Sequence, residues 1–145
     1  MIRVRRMCPE DAAEAAALEE QIFSQPWSKK GFLDALNLPN TIFLVAEEDG
    51  GLAGYIGMYI SLDEGEITNV AVAPQFRRQG VGTQLIAEIR REAAARGVTS
   101  IVLEVRVSNE AAILLYEKCG FGSCGVRKGF YELPKEDARI MVCGQ

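Results

Sequence analysis

The chain contains no histidine, and this absence limits its chemistry more than any other feature of its composition. Histidine is the side chain whose ordinary pKa lies within the physiological range. A general base that works near neutral pH must therefore be a carboxylate, a lysine, a cysteine or a water molecule held by one of these groups. The four cysteines (Cys8, Cys119, Cys124 and Cys143) form no Cys-x-x-Cys pair, so we expect reduced thiols and no metal site.

Long apolar runs and a net positive charge are also missing. No apolar stretch is long enough to span a bilayer, and the charged, alternating segment 2–6 lacks the pattern of a signal peptide. We therefore expect a cytoplasmic protein without a membrane partner. The net charge of −4 does not favour direct binding of nucleic acid. Carboxylates cluster at 47–49, 63–66 and 136–137, either as solvated loops or as a rim that attracts a basic substrate.

The 145 residues fit one domain, 1–145, and the order of elements predicts its fold class. Alternation and apolar runs predict strands, and amphipathic spacing between caps predicts helices. The predicted strands are 2–6, 41–48, 52–60, 66–73, 100–107, 121–128 and 138–142, and the predicted helices are 9–23, 28–38, 80–97 and 110–118. The order β-α-α-β-β-β-α-β-α-β-β indicates a mixed α/β domain with a central sheet and helices on both faces.

The segment Arg77–Thr83 (RRQGVGT) is the most informative motif. It follows a strand-like run and opens a long amphipathic helix. Gly80 and Gly82 at a helix start let the backbone approach a ligand, and the free N–H groups of the first turn favour an anion such as a phosphate. The two arginines that begin the segment add cationic donors. The motif therefore predicts a phosphorylated cofactor.

The known phosphate loops do not match this segment. A P-loop needs Gly-Lys-Ser or Gly-Lys-Thr at its end, and a dinucleotide fingerprint needs a third glycine where Leu85 stands. What remains is Arg-x-x-Gly-x-Gly between a strand and a helix. The alternative is a tight turn whose glycines only permit close packing of the helix.

Two side chains stand out as candidates for chemistry. Period two along the strand 100–107 places Glu104 and Arg106 on the same face as Val102. A carboxylate in an apolar strand is costly to bury unless it is paired or used, so Glu104 is either paired with Arg106 or a base whose pKa is raised by partial burial. Tyr116 is either a core aromatic at helical spacing or a group whose hydroxyl points at the cofactor.

Three blocks of the chain resemble one family. They are Val70-Ala71-Val72-Ala73-Pro74, Arg77-x-x-Gly-x-Gly, and Leu103-Glu104-Val105-Arg106-x-Ser108-Asn109 continued through Leu115-Tyr116 to Gly120-Phe121. Together they resemble the GNAT acetyltransferase superfamily over nearly the whole chain, and the last block is typical of its protein N-terminal acetyltransferases. The segments Pro26-Trp27-Ser28 and Arg127-x-x-Phe130-Tyr131 are similar to enzymes that acetylate the N-terminal alanine of a small-subunit ribosomal protein.

The resemblance implies a GNAT fold, with a mixed and mostly antiparallel sheet of about seven strands, and acetyl-CoA as acetyl donor without a metal. Acetyl-CoA would lie where two neighbouring parallel strands, 67–73 and 100–107, splay apart. By the same resemblance Glu104 accepts a proton from the amine and Tyr116 protonates the departing sulfur. The implied cofactor-binding residues are Val70, Ala71, Val72, Arg78, Gln79, Gly80, Val81, Gly82, Thr83 and Asn109, the last of which is equally explained as a helix cap.

The resemblance also implies a protein partner, the N-terminal segment of a ribosomal protein, bound by a monomer or weak dimer. Trp27 and Tyr131 are candidates for lining its entrance, although Trp27 would equally suit a turn between two helices as a packing residue. Phe130 and Lys135 stand where relatives often have tyrosine and histidine, and both lie in the peptide-binding region that the resemblance implies.

Two other functions fit the same residues. The first is acetyl transfer to a different amine, such as another protein N-terminus, a lysine or a small metabolite. The second is a module that binds an acyl-CoA without catalysis. The presence of both Glu104 and Tyr116 argues against a pure binder, which needs neither.

Overall fold

The computed structural model describes residues 1–145 and contains seven strands and four α-helices around one sheet. The strands are β1 (Arg3–Arg6), β2 (Thr41–Glu48), β3 (Gly51–Ser61), β4 (Glu64–Val72), β5 (Ser100–Arg106), β6 (Gly122–Tyr131) and β7 (Glu136–Gly144). The helices are α1 (Ala12–Ile22), α2 (Lys29–Leu36), α3 (Val81–Ala95) and α4 (Glu110–Lys118). No helix has the length and apolar character required to cross a membrane.

The predicted order of elements is confirmed, and the differences lie at their ends. Pro9–Asp11 forms a 3₁₀ turn before α1 rather than its first α-helical turn. The strands β6 and β7 extend beyond 121–128 and 138–142, because they form one long hairpin that pairs Tyr131 with Glu136. The predicted caps hold: the Ser28 hydroxyl accepts from the Gly31 N–H at 3.0 Å, as a first-turn acceptor should.

The sheet runs in the order β1-β2-β3-β4-β5-β7-β6. Every neighbouring pair is antiparallel except β4 and β5, which are parallel and are connected through α3. The sheet is therefore mixed and mostly antiparallel, as predicted. Parallel neighbours need a crossover connection of this kind, whereas β2–β3, β3–β4 and β6–β7 are antiparallel pairs joined by short turns.

Helices cover both faces of the sheet, and the alternation of β2 shows how the two cores are divided. Ile42 and Leu44 point into the core beneath α3 and α4, whereas Phe43 and Val45 point into the core beneath α1 and α2. The α1–α2 layer packs on β2, β3 and β4. Beyond β4 the same face is only half-buried, as at Val102 and Ile140. This half-open face is where Glu104 lies.

The parallel strands β4 and β5 pair over four residues only. Their register runs from Glu64 opposite Ser100 to Ile67 opposite Leu103. Both strands continue beyond these residues but no longer pair with each other. A bulge in β4 lies at the same point, because the register of β4 with β3 shifts there and leaves Thr68 without a partner. Bulges bend a strand, so this one coincides with the divergence of β4 from β5. The result is a gap between the two strands.

Gly54 allows β3 to approach the diverging part of β4. A Cβ atom at this position would lie 2.5 Å from the carbonyl oxygen of Ala71 and 3.3 Å from the Cα of Val72. Both atoms belong to the backbone, so no side-chain rotation could relieve the contact. The position of this part of β4, residues 70–72, which we call the β4 arm, therefore depends on the absence of a side chain at Gly54.

Candidate active site

The wall of the gap formed by β4 offers backbone rather than side chains. Ala71 is buried in the core beneath α1 and α2, while Val70 and Val72 pack against the core on the other face. One edge of this arm pairs with β3, from Val70 opposite Ile56 to Val72 opposite Gly54. The other edge has no strand partner. Backbone donors and acceptors at such an edge can bind an extended ligand in the manner of an added strand.

The loop before α3 presents free N–H groups. Arg78 and Gly80 both adopt positive φ, +65° and +78°, and no side chain caps the helix. Within the helix start, Gln84 is the first residue whose N–H reaches a backbone acceptor, donating to Gly80 O at 3.0 Å. The N–H groups of Val81, Gly82 and Thr83 therefore remain available at the positive end of the helix dipole.

The two glycines of this loop have different roles. Gly80 needs its left-handed conformation, and open space surrounds the position of a Cβ atom. A Cβ at Gly82 would lie 2.8 Å from the Cδ2 of Leu115, so Gly82 permits close packing of α3 against α4. The packing alternative is thus correct for Gly82, whereas Arg78, Gln79 and Gly80 are exposed and remain the predicted anion-binding residues.

Glu104 lies on the half-open face with 13% of its side chain exposed. Its Oε2 accepts from the Nη1 of Arg127 at 2.6 Å. The predicted alternative, a structural pair between Glu104 and Arg106, is wrong. Arg106 instead binds Glu136 at 3.1 Å and the carbonyl oxygen of Pro134 at 2.9 Å, because it points toward the turn between β6 and β7.

Glu66 is a neighbour of Glu104, and the sequence interpretation placed it in the acidic cluster 63–66, either a solvated loop or a rim for a basic substrate. It lies on β4 opposite Val102, one position along the same face from Glu104. Partial burial raises the pKa of Glu66, the carboxyl group of Glu104 raises it further, and Arg127 opposes both effects. Alternation along β4, in which Gly65 and Ile67 are buried and Glu66 is exposed, is the signal that could have identified it.

Tyr131 links the hairpin to Glu104. Its hydroxyl donates to the backbone oxygen of Glu104 at 3.0 Å, and Arg106 stacks on its ring at 4.5 Å. Burial raises the pKa of Tyr131 to about 12, with the charge of Glu104 as the next cause. Tyr131 therefore lies beside the candidate base, bound to its backbone.

Tyr116 lies on α4 with 7% of its surface exposed, and its ring packs against Phe121 at 6.0 Å between centroids. Burial raises its pKa well above the ordinary value, and proximity to Tyr131 adds to the effect. No hydrogen bond to the protein contributes at its hydroxyl. Burial therefore favours the protonated, neutral phenol.

Asn109 and Trp27 have clear structural roles. The Oδ1 of Asn109 accepts from the Ala112 N–H at 3.2 Å and so caps α4. Trp27 packs on Phe32 and Phe43 with ring centroids 5.3 Å and 6.0 Å away, in the corner between α1 and α2. Neither side chain contacts Glu104 directly, whereas Arg127, Tyr131 and Glu66 lie close to it.

Comparison with known proteins identifies the family of this chain. The model of the acetyltransferase (GNAT) family matches residues 12–121. The ribosomal protein bS18-alanine N-acetyltransferase of Escherichia coli (strain K12) is 36% identical over 134 residues, which cover 91% of this chain and 90% of that protein. A Bacillus subtilis (strain 168) protein, whose name assigns it provisionally to the same activity, is 42% identical over 95% of this chain and 92% of its own.

Solved structures show the same fold. The crystal structure of the ribosomal-protein-S18-alanine N-acetyltransferase from Escherichia coli superposes with a TM-score of 0.90 at 33% identity, covering 99% of this chain and 94% of that one. NAA60 of Arabidopsis thaliana in complex with acetyl-CoA also reaches 0.90, at 21% identity over 99% and 98% of the two chains. At that identity the second structure supports the fold alone.

Proposed function

This chain belongs to the GNAT acetyltransferase family, whose members use acetyl-CoA, and we propose that it acetylates the N-terminal alanine of a small-subunit ribosomal protein in the cytoplasm. The gap between β4 and β5 carries this proposal. Glu104 lies on β5 just beyond the last paired residue, Leu103, so the candidate base is beside the opening. The substrate assignment follows the names of the relatives that match almost the whole chain.

The residues present fit acetyl-CoA. The free N–H groups of Val81, Gly82 and Thr83 suit its diphosphate, and the unpaired edge of β4 from Val70 to Val72 suits its amide-bearing arm. Bound there, acetyl-CoA supplies an acetyl group activated as a thioester. No group of three or more His, Cys, Asp or Glu side chains is placed to hold a metal ion. In the proposed reaction, proton transfer is carried out by Glu104 and Tyr116.

Glu104 acts on the amine. The α-amine of a peptide has a pKa of about 7.7–8.0, so most of it is protonated at neutral pH and lacks the lone pair needed for attack. The carboxylate of Glu104 accepts this proton, directly or through water. Its ion pair with Arg127 fixes the carboxylate on the open face, and the bond from Tyr131 fixes the backbone beneath it. Positioned proton transfer typically contributes about 10²–10⁴-fold to a rate.

Tyr116 acts on the sulfur. Its hydroxyl has no acceptor within the protein, so the proton is free to be donated to the departing thiolate. Burial holds its pKa above the ordinary tyrosine value, which keeps the acid protonated to higher pH than an exposed tyrosine would be. The rate should therefore rise as the amine loses its proton, without a decline below about pH 9 from ionisation of Tyr116.

Replacing Tyr116 with phenylalanine should lower kcat about three- to tenfold. The effect is moderate because a thiol, with a pKa near 8.5, leaves readily without a full proton transfer. The ring remains in contact with Phe121, so the melting temperature should stay within about 3 °C of wild type. Steady-state kinetics at saturating substrates measure the change. An unaltered kcat would remove Tyr116 from the reaction.

Peptide substrates test the whole proposal. The protein is incubated with acetyl-CoA and a peptide that copies the N-terminus of its own organism's ribosomal protein, and the product is analysed by mass spectrometry. We expect one added acetyl group on the α-amine. Matched peptides that begin with another residue, and one with a blocked amine and an internal lysine, serve as controls. Preferential transfer to lysine or to free polyamines would reject the proposed substrate while retaining the acetyltransferase.

The alternative function, a module that binds acyl-CoA without catalysis, predicts a different result in this peptide assay. A protein that only binds acyl-CoA would show saturable binding by calorimetry and no transfer to any amine in the panel. The arrangement of Glu104, Arg127 and Tyr131 at the mouth of the gap favours catalysis, because a binder has no use for a fixed carboxylate at that place.

A further inference from the structure

Glu19 is a buried carboxylate that the reaction described above does not use. It lies on α1 with 2% of its surface exposed, among residues of the core beneath α1 and α2. Its Oε2 accepts a hydrogen bond from the hydroxyl of Tyr55, which is fully buried on β3. Its Oε1 accepts from the backbone N–H of Trp27 at 2.8 Å. Burying a carboxylate without a cationic partner is costly, so these bonds need to be made well.

The bond to Trp27 fixes the corner between α1 and α2. Residues 23–28 follow the end of α1 and finish with Ser28, the cap of α2, and they lie outside any helix or strand. Loops are the parts of a fold that adjust most easily. Here a single side chain ties the corner to β3 through Tyr55, and the ring of Trp27 closes over Phe32. Glu19 therefore helps to set the position of the corner, together with the packing of the Trp27 ring.

The corner is connected to the open face that holds Glu104 through residues on the same face of the sheet. Trp27 packs on Phe43, which packs in turn on Tyr59 with centroids 6.3 Å apart. Tyr59 lies opposite Glu66 in the sheet, and Glu66 is beside Glu104. A row of neighbouring residues on one face therefore leads from the corner across β2, β3 and β4 to the candidate base.

We infer that Glu19 is a positioning residue for the amine substrate: by bonding Tyr55 and the Trp27 N–H it holds the α1–α2 corner as the wall of the open face beside Glu104. This inference rests on the proposed function for the identity of the substrate. Glu19 touches neither acetyl-CoA nor the reacting atoms in this arrangement. Its effect is on the site where the peptide enters, on the side of the sheet away from α3.

The single tryptophan of the chain makes a direct test possible. Fluorescence from Trp27 reports on this corner alone. Glu19→Gln keeps an acceptor for the Trp27 N–H but removes the charge that binds Tyr55. We expect a shift of the Trp27 emission to longer wavelength and stronger quenching by acrylamide. Glu20→Gln, an exposed neighbour on the same helix, is the matched control and should leave both unchanged.

Kinetics test the functional part. Glu19→Gln should raise KM for the peptide at least fivefold, with kcat and KM for acetyl-CoA within about twofold of wild type. If the variant fails to fold, Tyr55→Phe removes the same hydrogen bond to Glu19. It should also raise KM for the peptide while leaving kcat and KM for acetyl-CoA nearly unchanged. An unchanged Trp27 signal, or an unchanged peptide KM despite an altered signal, would overturn the inference. If wild type transfers to another amine instead, the proposed substrate fails, and the same KM split is measured with that amine.

Discussion

Replacing Glu104 with glutamine should lower turnover at least tenfold at pH 7 and leave acetyl-CoA affinity within a few-fold. Glutamine preserves the size of the side chain and an oxygen that can accept from Arg127. It cannot accept a proton, so the amine must lose its proton to solvent before it attacks. A tenfold loss is the minimum expected, since positioned acid–base groups typically contribute about 10²–10⁴-fold.

The pH dependence separates this role from a structural one. Below the pKa of the amine, at about 7.7–8.0, the variant should lose most activity, because there the protein has to remove the proton. Toward pH 9 the amine is already neutral and the deficit should shrink. Steady-state rates from pH 6 to 9 measure this, with calorimetry for acetyl-CoA binding. Glu117→Gln, an exposed carboxylate on α4, is the control. Equal rates for the variant and wild type at every pH would remove Glu104 from its assigned role.

A single methyl group at Gly54 should disturb both stability and cofactor binding. In Gly54→Ala the new Cβ would meet the carbonyl oxygen of Ala71 at 2.5 Å, so β3 and β4 must move apart. Overpacking of this kind costs about 1–3 kcal/mol. For a domain of this size that corresponds to a fall in melting temperature of roughly 2–12 °C.

The same displacement would move the β4 arm that borders the gap. We expect the dissociation constant for acetyl-CoA to rise at least threefold, because the unpaired edge at Val70–Val72 is proposed to bind its arm. Thermal unfolding and calorimetry measure the two effects. Gly122→Ala is the matched control, since it adds the same methyl group to a strand position with open space around it. A Gly54→Ala protein as stable as this control and with unchanged affinity would refute the proposed dependence.

Much of the fold could be predicted because local signals and packing agree. The helix α4 has the predicted bounds, since Asn109 caps its start and Gly120, with φ of +96°, follows its end. The alternation of β5 also placed Glu104 on the correct face, opposite the buried Leu103. Such features depend on neighbours in sequence, and they survive folding unchanged.

The partner of Glu104 could not be predicted in this way. The register of β6 with β7 shifts twice, between Ser123 and Gly125 and between Arg127 and Tyr131. A shift of one residue moves a side chain to the other face of a sheet. The proximity of Arg127 to Glu104 therefore depends on bulges that the sequence does not mark. Arg106, nearer in sequence, was the obvious partner and is used elsewhere.

The buried carboxylate of Glu19 was missed for a different reason. Its spacing from Ala12 and Ala15 places it on the apolar stripe of α1, and this pattern was available from the sequence. The donors that satisfy it are the Tyr55 hydroxyl, which comes from β3, and the Trp27 N–H, which comes from the loop after α1. Periodicity shows that a residue is buried, and only the assembled core shows what it bonds.

The short parallel pairing of β4 and β5 also has a thermodynamic consequence. Across it, residues 1–72 and 100–145 form two contiguous halves of the sheet that share only four paired positions at this junction. A ligand that lay between the diverging arms would complete the missing ladder and link the halves. Amide hydrogens on both arms should then exchange more slowly together, as one cooperative unit, although they are separated by the whole of α3 in the chain.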